Sequence, residues 1–186
     1  KRYNLPKPFK VNVIRQKITV DNVPYYGMVT ESIGYLRLTD FTTKAGKEVA
    51  NAVKDLKSDG AEKIILDLRG NPGGLLNEAI NVSNVFIPKG KEVVSTKGKL
   101  ESWTKVYETN SDPVDKEIPL AVLTDKGSAS AAEIVAGVMQ DYDRGILVGR
   151  KTFGKGLVQQ TRPLAYNSQL KVTTAKYYIP SGRCIQ

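Results

Sequence analysis

The chain contains no histidine. A Ser–His–Asp triad, a Cys–His pair and any His-ligated metal are thereby excluded within it. Its one cysteine, Cys184, can form no internal disulfide and cannot build a cysteine zinc site. With no histidine to activate it, Cys184 reads as a structural or free thiol. No run approaches the roughly 18 apolar residues of a membrane-spanning helix. Internal repeats and low-complexity segments are also missing. Lys1-Arg2-Tyr3-Asn4 is followed by no apolar segment, so the start reads as mid-domain sequence and not as a signal peptide. A hydrolase made from these residues must take its base from Lys, Glu, Asp or Tyr, or from sequence outside the chain.

What is present suits a globular protein. The chain has 186 residues, 40% of them hydrophobic, enough for one real core and too few for two large domains. The net charge is +9. A basic balance raises the question of nucleic acid. The lysines are scattered, however, and no stretch interleaves aromatics with Arg and Lys, so no nucleic-acid partner is expected.

Residues 9–20 place Phe9, Val11 and Val13 in alternation, which predicts a half-buried strand after a turn at 4–8. A second strand is expected at 33–38. Thr42 or Thr43 can cap a helix to about Ser58, with Val49, Val53 and Leu56 as its apolar stripe. Residues 63–68 read as a buried strand, followed by the turn Gly70-Asn71-Pro72-Gly73-Gly74 and a helix over 75–85. Further strands are expected at 92–96, 103–108, 120–124, 145–148, 157–162 and 169–178, with a helix over 130–140. Strands alternating with helices predict an α/β fold.

Three glycine-containing loops, 69–74, 127–130 and 153–156, each follow a predicted strand. Strand ends are where α/β folds build sites. Ser130-Ala131-Ala132-Glu133 has the capping-box pattern, a structural role sufficient in itself. The same turn exposes a serine beside backbone N–H groups and a helix dipole that can stabilise an oxyanion. Lys155 is flanked by Gly154 and Gly156. It reads as an exposed loop lysine or, if buried, as a base, since burial can lower a lysine pKa from about 10.4 to about 5–6. A P-loop would need Ser or Thr where Gly156 stands. The turn Asp67–Gly74 needs glycine for its backbone. It could also aim the N–H of Gly73 or Gly74 at an oxyanion, with Ala131 N–H as second donor.

The segments 66–75, 127–137 and 149–156 together resemble the three signature segments of the C-terminal processing, or tail-specific, proteases, in the family's order and at its serine-to-lysine interval. Residues 173–183 are similar to the segment that follows, and the resemblance covers about residues 23–186. It implies a crotonase/ClpP-like core with additional β-rich segments. It also implies Ser130 as nucleophile, Lys155 as general base, Gln159 as a residue positioning the lysine, and Asp141 in support. Ala131 with Gly73 or Gly74 would form the oxyanion hole, and no metal or cofactor is needed. Residues 1–20 would be the remnant of a PDZ domain and 21–186 the catalytic core. The implied partners are protein or peptide substrates with a free C-terminus, and a homodimer stays open. The implied location is periplasmic or otherwise exported. Cys184 departs from the small residue usual there, outside the dyad. The alternatives are a peptide-binding scaffold whose dyad never assembles, and an acyl-CoA enzyme on the same core, which has no need of a Ser and Lys at this interval.

Overall fold

A computed structural model describes residues 10–15, 18 and 20–186. The expected turn at 4–8 lies outside the described residues, as does Phe9. Of the expected first strand, residues 10–15, 18 and 20 lie in no helix or strand and are exposed. Their alternation finds no sheet to pair with among the described residues.

The chain enters the core at Asn22. A first sheet has the order β1-β2-β3-β6-β7. Strand β1 (Tyr25–Met28) runs antiparallel to β2 (Ile33–Arg37). The strands β3 (Lys63–Asp67), β6 (Leu120–Thr124) and β7 (Ile146–Gly149) continue parallel from β2. Alternate residues Leu36, Ile64, Leu66, Leu120 and Val122 are buried. They join one core with Val49, Val53 and Leu56 of α1 (Ala45–Ser58), Ala79 and Val82 of α2 (Leu76–Ser83), and Ile134 and Val138 of α3 (Ala131–Asp141). Parallel strands need such helical crossovers to bury their faces.

The second sheet, β5-β4-β9-β8, is antiparallel. It consists of β4 (Glu92–Gly98), β5 (Lys105–Glu108), β8 (Leu157–Pro163) and β9 (Gln169–Tyr178). The α/β expectation with β-rich additions is borne out.

Two local expectations need correction. The strand β1 was not foreseen; Tyr-Tyr-Gly-Met shows no alternation and owes its form to pairing with β2. Neither Thr42 nor Thr43 caps α1. Its cap position is Lys44, at φ 80 with no side-chain cap bond. The carboxylate of Glu78, from α2, instead accepts the N–H groups of Lys44 (3.2 Å) and Gly46 (2.8 Å). A buried carboxylate from a neighbouring helix satisfies the orphan donors and suits the positive end of the dipole.

Candidate active site

Strands β3, β6 and β7 are adjacent and parallel, so the loops that leave their C-terminal ends emerge at one edge of the sheet. The three glycine-containing segments are therefore neighbours. Hydrogen bonds tie the first two loops together. Asp125 Oδ1 accepts from Gly70 N–H (2.9 Å) and Gly127 N–H (2.8 Å). The Ser128 hydroxyl donates to Leu68 O (2.8 Å), and Ala129 N–H donates to Asn71 O (2.9 Å). The Gly70 N–H, with its fellow backbone donors, holds the Asp125 carboxyl below the usual aspartate range. The third loop crosses the second, with Phe153 N–H on Ser128 O at 3.0 Å.

Ser130 sits where the turn from β6 enters α3, at φ 56 and ψ −115. That backbone is strained for a non-glycine residue, by about 1–3 kcal/mol. Sharp strand-to-helix turns of this kind present a serine hydroxyl at the top of a sheet. The capping-box arrangement is present in outline, but the Ser130 hydroxyl makes no capping hydrogen bond. The Glu133 half is the one made. Glu133 Oε2 accepts from Ser130 N–H at 2.8 Å, while Glu133 N–H goes to the Ser130 carbonyl.

The same carboxylate reaches the lysine loop. Glu133 Oε1 accepts from Gly154 N–H (2.6 Å), and Oε2 also accepts from Lys155 N–H (2.8 Å). One buried carboxylate, 5% exposed, thus holds the Ser130 turn and the lysine loop against each other. Sequence reasoning assigned Glu133 only a capping role. The spacing Ser-x-x-Glu was the available signal; its second duty depends on a contact 21 and 22 residues away. The Lys155 side chain is exposed and shares no hydrogen bond with Ser130 among the described residues.

The glycine turn packs directly on Ser130. Gly73 has φ 95, and a Cβ there would lie 2.6 Å from Ala129 O and 2.8 Å from Ser130 Cβ. Its N–H is already used, donating to Asn71 Oδ1 at 2.8 Å. The N–H groups of Gly74 and Ala131 have no acceptor among the described residues. Gly74 is itself exposed.

Two expected residues make no hydrogen bond to this centre. Gln159 is exposed on β8, and its amide donates to Thr173 Oγ1 at 3.5 Å. No hydrogen bond joins it to Lys155. Asp141 ends α3, about 16 Å along the helix from Ser130 at roughly 1.5 Å per residue. It accepts from Ser181 N–H (2.9 Å) and faces Arg183 (3.7 Å), anchoring the turn at 180–183. Beside the turn, Asp67 loses solvation on burial. Arg69 and Tyr35 nevertheless hold its carboxyl below the ordinary range. No cluster of metal-ligating side chains occurs among the described residues. Nor is any helix among them long and apolar enough to cross a membrane.

The model of peptidase family S41 matches residues 32–186. The chain belongs to this family. A carboxy-terminal-processing protease from Bartonella bacilliformis is 43% identical over 189 residues, covering 100% of this chain and 43% of that protein. A relative from Staphylococcus aureus, named "Probable CtpA-like serine protease", is 40% identical over 179 residues, covering 94% of this chain and 35% of its own length. The solved photosystem II D1 C-terminal processing protease superposes with a TM-score of 0.80 at 31% identity, over 92% of this chain and 47% of that one. The S41 chain described here thus spans less than half the length of these relatives.

Proposed function

We propose that this S41 chain carries the catalytic core of a serine endopeptidase that cuts protein substrates near a free C-terminus, with Ser130 and Lys155 as its dyad. The observation that carries the reading is the Glu133 carboxylate gathering the N–H groups of Ser130, Gly154 and Lys155. A serine and a lysine on separate loops are thereby given one common anchor.

The uncharged Lys155 amine takes the proton of the Ser130 hydroxyl as Oγ forms a bond to the peptide carbonyl carbon. The negative charge on the carbonyl oxygen is received by the N–H groups of Ala131 and Gly74, which have no other acceptor among the described residues. Lys155 then gives its proton to the leaving nitrogen as the C–N bond breaks. Water, deprotonated by the same amine, hydrolyses the acyl-enzyme and frees Ser130. Gln159 makes no hydrogen bond to Lys155, and Asp141 supports the C-terminal turn from a distance.

The domain reading draws its support from where burial begins. The described residues up to 20 are exposed and outside any element, and Asn22 is 1% exposed. We take 1–20 as the end of a PDZ domain and 21–186 as the core. The same reading carries an exported location.

The test is proteolysis of an unfolded model protein with an apolar C-terminus by the full-length protein. Ser130→Ala and Lys155→Ala are expected to fold and to lose nearly all cleavage. Parental cleavage by either would remove the dyad and return Ser130 to a helix-terminal role or Lys155 to a loop lysine.

A further inference from the structure

We infer that Asn22 is a positioning residue for the oxyanion donor of Gly74, acting through Phe41. It rests on the dyad reading above, in which Gly74 is a donor and neither Asn22 nor Phe41 has a catalytic role.

Three contacts make the chain of action. Asn22 is buried and gripped from α1: Glu48 accepts its backbone N–H (2.7 Å), its side-chain amide (2.9 Å) and the N–H of Val23 (3.0 Å). Asn22 in turn holds both ends of the segment 39–42. Its carbonyl accepts Thr39 N–H at 2.9 Å, and its Oδ1 accepts Thr42 N–H at 2.8 Å and the Thr42 hydroxyl at 2.9 Å. Between those ends Phe41 pairs with the glycine turn. Phe41 N–H donates to Gly73 O (3.2 Å), and Phe41 O accepts Leu75 N–H (2.8 Å).

The carbonyl of Gly73 and the N–H of Gly74 belong to one planar trans peptide, in which they point in opposite directions. Fixing the carbonyl on Phe41 therefore aims the Gly74 N–H away from Phe41. Flanking φ values of 95 at Gly73 and 155 at Gly74 show a backbone only glycine occupies readily. The same freedom lets this peptide rotate if its carbonyl is released. Asn22, by holding Thr39 and Thr42, keeps Phe41 in place to prevent that rotation.

Asn22→Ala in the full-length protein is the main test, with Thr42→Val as a milder change that removes only the exposed hydroxyl. Loss of one oxyanion donor lowers kcat by about 100- to 1000-fold. Asn22→Ala, which misdirects a donor without deleting it, is expected to lower kcat at least tenfold with KM within twofold. Thr42→Val is expected to lower kcat severalfold at an unchanged melting temperature. Affinity for a product peptide should stay parental in both, while affinity for a peptide boronate, whose tetrahedral form needs the oxyanion donors, should fall in step with kcat. A structural role alone would lower the melting temperature and leave both kcat and boronate affinity parental well below it; that result overturns the inference. If Asn22→Ala does not fold, Thr42→Val with parental kcat and boronate affinity overturns it alone. Ser130→Ala runs alongside. Cleavage by Ser130→Ala would sink the dyad reading itself, whereas an inactive Ser130→Ala with a parental Asn22→Ala sinks only the positioning role.

Discussion

Glu133→Gln keeps the shape of the side chain and removes one acceptor oxygen together with the charge. In the native protein Oε2 takes two N–H groups and Oε1 takes a third, all within a site where Glu133 is 5% exposed. The glutamine oxygen can serve two of these donors, as ordinary bonds. Going from charge-assisted to neutral costs about 1 kcal/mol for each of the two, and the third N–H, left facing an NH2 group, costs about 1–3 kcal/mol. The sum is about 3–5 kcal/mol, a large part of a typical stability of about 5–15 kcal/mol. At about 2–4 °C per kcal/mol for a chain of this size, the melting temperature should fall by about 6–20 °C. The cost is local, so release of the lysine loop can relieve part of it. If about 2 kcal/mol of it separates the aligned loop from the released one, kcat falls about 30-fold. Thermal unfolding and peptide cleavage measure the two effects. Hydrogen exchange at the Gly154 and Lys155 amides reports the loop directly. A variant melting within about 2 °C of the parent and cleaving within twofold would refute the anchoring role.

Gly73→Ala should be more damaging to catalysis than to folding. The new methyl would meet Ala129 O and Ser130 Cβ at 2.6 and 2.8 Å from a backbone at φ 95. A left-handed alanine costs about 1–2 kcal/mol, whereas displacing Ser130 should lower kcat more than 100-fold for a melting loss of several degrees, read by the same assays. Asp115 gives the pH dependence. Burial works to raise its pKa, but its ion pair with Lys57 and the N–H groups of Ile118 and Glu117 hold it at about 2. Because the folded value lies below the unfolded value of about 3.9, its stabilisation is complete above that value. It is lost as pH falls from about 4 to about 2. Asp115→Asn should lower stability at neutral pH and flatten this part of the acid-unfolding curve, as measured by denaturant titration at each pH.

The parallel strands around the site were legible because each is a short apolar run ending in glycine or a polar turn. Their adjacency was not, since strand order is a long-range property; yet it decides that Gly73, Ser130 and Lys155 share one edge. Helix α1 was read correctly from Val49, Val53 and Leu56. Its cap was misread because Glu78, more than thirty residues on, does the work assigned to Thr42 or Thr43. Both glycines were candidates for the oxyanion hole. Only the Asn71 side chain, curling back onto the Gly73 N–H, distinguishes them. The alternation at 9–20 promised a strand, but pairing partners are what make a strand, and residues 10–15 have none among the described residues.

The two residues proposed as the dyad belong to different parts of the architecture. Ser130 stands between β6 and α3, wholly within the first sheet and its helices. Lys155 lies on the strip that leaves β7 of the first sheet and enters β8 of the second. The proposed base therefore bridges a seam, and Glu133 is the rivet that closes it. A slide of one sheet past the other would leave each sheet's own ladder intact and still change the reach from amine to hydroxyl. On the proposed dyad, the reaction rate becomes a gauge of how the two sheets are seated, sensitive to strain introduced far out on the β8–β9 ladder where no substrate group need ever touch.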